Sequence, residues 1–389
     1  MQTAQRFHNI RESVIREMTR LAIKHDAINL SQGFPDFDPP AEVLQAAIEA
    51  IQGGLNQYTV TWGYPPLRQK LAELYTERLG WQVRPDEHVV VTCGVTEALA
   101  AAMLAILDPG DEIIIMDPAH ESFRPAAQLA SAKPISVVLP APDFRLDPQR
   151  LEDAVTPRTK ALILNTPHNP SGHVFDDEEI SGVIDVVTRH DLILITDEIY
   201  DRILYDGRVH VSPGSLEPLK ERTITIGGMG KTYAVTGWRL GYAIAPAPLA
   251  RVVKPAHDFL TICAATPLQA AALAALNLPQ SFYDKQMEDY HQRRALMSEI
   301  LHDLGFRFSL PQGAYYILAD YRELPIPQAR WDADKFARWM ATDVGVAVVP
   351  GPNFYQDPSQ GEGLIRFAYP KKLETLRAAA QRMARLKGK

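Results

Sequence analysis

The chain has 389 residues, 46% of them hydrophobic, and carries 40 Lys and Arg against 47 Asp and Glu for a formal net charge of −7. That length and composition fit one large or two ordinary domains with a sizeable core, and the acidic balance argues against a nucleic-acid or anionic-membrane partner. No run of eighteen apolar residues offers a membrane span, and MQTAQRFHNIRESVIREM at the start has no apolar signal segment, so a cytoplasmic location is expected. Cys93 and Cys263 are too few for a disulfide framework, and neither they nor the 11 histidines show metal-ligand spacing, so no metal is expected.

Along the middle of the chain, short β-branched runs alternate with helical patterns: HVVVT (88–92), EIIIMD (112–117), ALILN (161–165), LILIT (192–196) and TITIG (223–227). Continuous apolar runs separated by helices such as 97–107 predict a parallel sheet buried on both faces. Each run is followed by polar or glycine-rich residues: Gly94-Val95-Thr96, Asp117 to His120, Asn165 to Gly172, Asp197 to Tyr200, and Lys231. Ligands of open α/β sheets bind outside the carboxyl ends of the strands, so these five segments are expected to meet at one site.

Each segment also has an ordinary explanation. HNPSG is a turn signal, Asp197 can cap a helix, Gly94 can be a strand-to-helix turn, and a lone histidine such as His120 is commonly structural. Gly230-Lys231-Thr232 is not a P-loop, because the glycine needed six residues before the lysine is Thr225. What separates the readings is convergence, since independent ordinary explanations do not place all five segments at one sheet edge. A lysine amine, a buried carboxylate and a phosphate site together suit pyridoxal phosphate, whose aldehyde forms a Schiff base with lysine and whose ring takes up carbanion electrons. Asp197 is suited to keeping the ring nitrogen protonated. Gly94, Val95 and Thr96 at a helix start, with Arg239, are suited to the phosphate.

Six longer stretches carry a resemblance across almost the whole chain: INLSQGFPDFDPP (28–40), NQYTVTWGYPPLRQKLA (56–72), KALILNTPHNPSG (160–172), ITDEIYDRILYDG (195–207), GKTYAVTGWRLG (230–241) and IRFAYPK (365–371). In these the chain resembles the class I, fold-type I pyridoxal-phosphate aminotransferases, most of all the kynurenine, glutamine and methionine subgroup. The resemblance implies an α/β fold with a large domain (46–281) holding a mainly parallel seven-stranded sheet. It also implies a small α+β domain made from 1–45 and 282–389. Lys231 would then hold the cofactor and shuttle the proton, with Asp197 on the pyridine nitrogen and Tyr200 and Asn169 on the phenolic oxygen. Arg366, Asn169 and the Gly33 backbone would grip the substrate carboxylate, and Tyr58 would reach the phosphate of a partner subunit's cofactor in a homodimer.

Three positions depart from the family pattern. His120 stands where a stacking aromatic is usual, Gly228 where a phosphate-binding serine is usual, and Ile262-Cys263 where kynurenine-type enzymes have an aromatic-histidine pair lining the side-chain pocket. The expected reaction is ping-pong transfer of an amino group between an L-amino acid and a 2-oxo acid, with neutral aliphatic or sulfur side chains favoured. A lyase, β-eliminase or oxidase outcome on the same scaffold is the alternative, and a non-catalytic cofactor-binding regulator is a third reading.

Overall fold

The computed structural model describes residues 4, 10 and 12–387. Its centre is a seven-stranded sheet built from β1 (Val89–Thr92), β2 (Glu112–Asp117), β3 (Lys133–Val138), β4 (Thr159–Asn165), β5 (Ile193–Asp197), β6 (Thr223–Gly228) and β7 (Gly241–Ile244). The order is β1-β7-β6-β5-β4-β2-β3, with only β7 antiparallel to its neighbours. The five runs predicted from the sequence are all strands of this sheet. The other two were not legible. β3 is partly exposed and begins Lys133-Pro134, and β7 is the four-residue segment GYAI.

Alternate residues of the apolar runs serve two separate cores, which is why the runs are continuous. Ile113, Ile115, Ala161 and Ile163 pack on one face, beneath the helices Val95–Ile106 and Ala247–Thr261. Ile114, Met116, Leu162 and Leu164 pack on the other with the helix Asp177–Arg189. Each fully buried Ile or Leu of this kind contributes roughly 1.5–3 kcal/mol relative to exposure, so a one-residue slip of register would be opposed from both faces. Asp176 and Glu179 form a reciprocal capping box that starts the helix Asp177–Arg189.

The register aligns the strand ends that matter. Asn165 lies opposite Asp197, Asp197 lies opposite Ile226, and Gly228 lies opposite Gly241. A three-stranded antiparallel sheet follows, of β8 (Tyr316–Asp320), β9 (Val349–Pro350) and β10 (Leu364–Ala368), in the order β9-β10-β8. The N-terminal residues Ile28–Asn29 pair in parallel with Val346–Ala347, which ties the start of the chain to this C-terminal region.

Candidate active site

The strand ends do meet. Gly94, Val95, Thr96, His120, Asn169, Asp197, Tyr200, Lys231 and Arg239 line one cavity, together with Ser122 and Thr236, which sequence reasoning did not single out. Ser122 follows the His120 turn by two residues, and Thr236 lies in the glycine-rich stretch after Lys231, so each had a positional signal of hydroxyl chemistry near a recognised motif.

One end of the cavity has the groups that could hold an anion. Gly94 has φ 83° and caps the helix Val95–Ile106, whose first N–H groups have no partner within the helix. A side chain there would place its Cβ 2.6 Å from Arg239 Nη2, so glycine is required both by the left-handed backbone and by the approach of the guanidinium. Arg239 itself has φ 53° and bonds the Thr236 carbonyl through Nη1 at 3.1 Å. Across the sheet, a Cβ on Gly241 would meet the Gly94 carbonyl carbon at 2.5 Å, so two glycines let the loop and strand touch. Gly228 is explained in the same way. A Cβ there would lie 2.9 Å from Ile199 Cδ1 and 3.0 Å from both Val95 Cγ2 and the Leu240 carbonyl oxygen, so a serine would require its neighbours to shift, and Thr96, Ser122 and Thr236 bring hydroxyls to the same cavity.

Asp197 lies at the floor of the cavity. Its backbone oxygen accepts bonds from Asn165 Nδ2 at 2.9 Å and from the Thr166 N–H at 3.0 Å, and its Oδ1 accepts one from the Ile199 N–H at 3.2 Å. Burial pushes its carboxyl up to about 7, against the Ile199 hydrogen bond and the positive charge of Lys231, which act downward. A group in this state favours a cationic partner that would restore its ionisation. His120 behaves oppositely. Burial, then the charges of Arg366 and Lys231, pushes its imidazole down to about 3. Its Nδ1 accepts from the Ser122 N–H at 3.3 Å and lies 2.7 Å from Ser122 Oγ, which leaves the ring proton on Nε2. The ring is thus a neutral flat surface rather than a titrating group near neutral pH.

Lys231 reaches across to the N-terminal segment, donating from Nζ to the Gly33 carbonyl at 3.0 Å. That carbonyl also accepts from Tyr315 Oη at 2.9 Å. The segment is strapped down just beyond, where Lys371 Nζ bonds the Phe34 carbonyl at 2.7 Å and Asp36 accepts from the Lys372 N–H at 2.6 Å. Arg366 is 1% exposed on β10. It donates to Asn169 Oδ1 at 2.9 Å and to the Ser31 carbonyl at 2.6 Å, its Nε has no partner, and it has no carboxylate partner among the described residues. The guanidinium lies 4.4 Å from the Tyr316 ring centroid and 4.9 Å from that of Phe354. A buried cation without a counter-ion is costly unless an anion arrives.

Tyr58 and the Ile262-Cys263 pair stand apart from this cavity. Tyr58 is 76% exposed and lies outside the cavity. Ile262 and Cys263 also lie outside it. They follow the end of the helix Ala247–Thr261, with Ile262 at φ 66° in a tight turn closed by the Cys263 N–H to the Thr261 carbonyl at 2.8 Å. A β-branched residue at positive φ is costly, and Ile262 is half exposed there.

Comparison with known proteins agrees with this geometry. Residues 25–383 match the family model described as aminotransferase class I and II. The chain is 37% identical to kynurenine–oxoglutarate transaminase 1 of Homo sapiens over 400 residues, covering 95% of both chains. It is 36% identical to methionine aminotransferase of Escherichia coli (strain K12) over 375 residues, covering 96% of each. The solved structure of N-succinyldiaminopimelate aminotransferase from Mycobacterium tuberculosis superposes with a TM-score of 0.94 at 36% identity, covering 99% of this chain and 100% of that one. With lysine, aspartate, anion cradle and buried arginine gathered at the carboxyl edge of a mainly parallel sheet, the chain belongs to the class I and II aminotransferase family, whose members transfer amino groups with pyridoxal 5′-phosphate.

Proposed function

We propose that this enzyme moves an amino group from an L-amino acid with a neutral side chain to a 2-oxo acid in two half-reactions, and that its residues divide the work as follows. Pyridoxal 5′-phosphate supplies an aldehyde for the amine and a ring that accepts the electrons left at the α-carbon. Gly94, Val95, Thr96 and Arg239 would hold its phosphate, and Asp197 would pair with its ring nitrogen. His120 would lie flat against the ring. Tyr200 and Asn169 would bond its phenolic oxygen. Lys231 would anchor it, then take the proton from the substrate α-carbon at Nζ and return one when an amino acid is rebuilt.

The observation that carries this reading is the buried Arg366 guanidinium, paired with no carboxylate among the described residues and bonded to Asn169 beside the cavity that holds Lys231 and Asp197. A substrate α-carboxylate is the anion of matching shape, with Asn169 and the Gly33 backbone beside it. The side-chain preference is supported by the cavity lining, whose cations, Lys231 and Arg239, are both assigned to the cofactor. A panel of amino acids with one 2-oxo acid tests it, following 2-oxo acid product together with ammonia. Stoichiometric exchange without ammonia release, fastest for methionine or leucine, supports the proposal, and ammonia and pyruvate from a cysteine conjugate as the main products would replace it by an elimination.

The working unit we propose is a cytoplasmic homodimer with a large domain at 46–281 and a small one from 1–45 and 282–389, the first residues of which lie outside those described. Exposed apolar side chains support the dimer, with Phe259 91% exposed, Ile48 and Ile51 half exposed and Tyr58 76% exposed. Tyr58 would there complete the phosphate site of the second copy. No helix is long and apolar enough to cross a membrane, among the described residues.

A further inference from the structure

We propose that Tyr316 is a positioning residue of this active site, its hydroxyl donating to Tyr200 and its ring holding Arg366, so that one side chain sets both the contact to the cofactor's phenolic oxygen and the grip on the substrate carboxylate. This rests on the roles proposed above for Tyr200 and Arg366.

Tyr316 is 2% exposed and opens β8, where it pairs with Ala368 at the end of β10. Its Oη lies 2.9 Å from Tyr200 Oη, and the two rings meet edge to face at 5.7 Å and 87°. Tyr200 follows β5 of the large sheet, whereas Tyr316 and Arg366 belong to the three-stranded sheet, so this hydrogen bond links the two sheets at the site. Gly33 makes room for it. A Cβ on Gly33 would stand 2.0 Å from Tyr316 Oη, so the bare backbone of the N-terminal segment is what lets the hydroxyl reach Tyr200. The other face of the Tyr316 ring system is spoken for by the Arg366 guanidinium at 4.4 Å.

Each phenol has one proton. Burial, then the neighbouring Tyr316, pushes the Tyr200 phenol well above its ordinary value, so Tyr200 keeps its proton and can donate it. If Tyr316 donates to Tyr200 Oη, the Tyr200 proton is free for the cofactor oxygen, and the two bonds reinforce each other. If instead Tyr200 donates to Tyr316, the cofactor oxygen receives nothing from Tyr200. The proposal commits to the first arrangement. Donation to that oxygen draws off charge that would otherwise hold the proton shared with Lys231 Nζ, so weakening the donor raises the affinity for that proton.

The test uses the holoenzyme and its Tyr316→Phe, Tyr316→Leu and Tyr200→Phe variants. Two readouts apart from turnover are taken: the pH midpoint of the bound cofactor's visible absorption, and the inhibition constant of 4-methylpentanoate, a carboxylate without an amine. Tyr316→Phe is expected to raise the midpoint by roughly half to one pH unit, the size of one neutral hydrogen bond, with the inhibition constant unchanged within about twofold. Tyr316→Leu should also weaken 4-methylpentanoate by roughly tenfold, through loss of the ring beneath Arg366. An unmoved or lowered midpoint in Tyr316→Phe, while Tyr200→Phe raises it, overturns the inference and leaves the role of Tyr200 standing. If Tyr200→Phe moves nothing either, the reading of Tyr200 fails and the inference fails with it.

Discussion

Arg366 on β10 donates through Nη1 to Asn169 Oδ1 at 2.9 Å, and Asn169 is in turn held by its own N–H on Asn165 Oδ1 at 2.8 Å, one residue before the Asp197 backbone is reached across the sheet. The cationic end of the site and its acidic floor are therefore joined through two asparagine side chains. Removing the fork from Arg366 should be felt at substrate binding and not at the cofactor. Arg366→Lys is expected to lower kcat/KM for amino acids by roughly 10²-fold, with the cofactor retained on gel filtration. Steady-state kinetics and cofactor absorbance on the same sample check both halves.

Lys231 is the lysine that lines the cavity, and Lys371, the other buried amine nearby, is committed to the Phe34 carbonyl at 2.7 Å. Borohydride reduction of the holoenzyme followed by peptide mass mapping is expected to find the cofactor on the Lys231 peptide. Fixation on Lys371 or any other lysine would move the catalytic centre elsewhere.

Gly94→Ala introduces a side chain at φ 83° and against Arg239 Nη2. The backbone cost is about 1–2 kcal/mol, and the displaced guanidinium adds to it, so cofactor affinity should fall by at least tenfold. Equilibrium dialysis of pyridoxal 5′-phosphate against the apoprotein measures this without any turnover.

Asp197 gives the apoprotein a pH signature. Its native carboxyl is raised from 3.8 to about 7 by burial, so the folded state binds the proton more tightly than the unfolded chain. Its contribution to stability is complete below pH 3.8 and is lost as pH rises through about 7. Three units correspond to on the order of 4 kcal/mol. Asp197→Asn should abolish that part of the slope, so the variant apoprotein gains on the parent between pH 5 and about 8 in urea unfolding while binding the cofactor less tightly. Parallel curves for the two proteins would show that Asp197 is ionised before the cofactor arrives.

Tyr58, 76% exposed and remote from its own chain's cavity, should act in a second copy. Tyr58→Ala and Lys231→Ala are each expected to be nearly inactive, yet refolding them together should restore activity, because one site of each hybrid then has both residues intact. No recovery on mixing would mean that Tyr58 does not cross between subunits.

The sequence by itself determined the sheet and most of the chemistry. Runs such as ALILN and LILIT are legible because strands covered on both faces must be apolar at every position, and polar residues placed immediately after them can only lie at one edge. Lys231 and Asp197 were singled out in this way, and Asn169 by the resemblance. Edge strand β3 and the short antiparallel β7 were not legible, since a half-exposed strand and a segment, GYAI, with glycine and alanine at two of its four positions carry too weak a pattern. Tertiary structure alone decided what depends on distant segments meeting in space. Gly228 is crowded because Ile199, Val95 and the Leu240 carbonyl close around it, and His120 is neutral because protein surrounds it and two cations stand near. Tyr316, the first residue and only aromatic of its strand, acquires a partner only when β8 is laid beside Tyr200 and Gly33 offers no side chain to hold them apart.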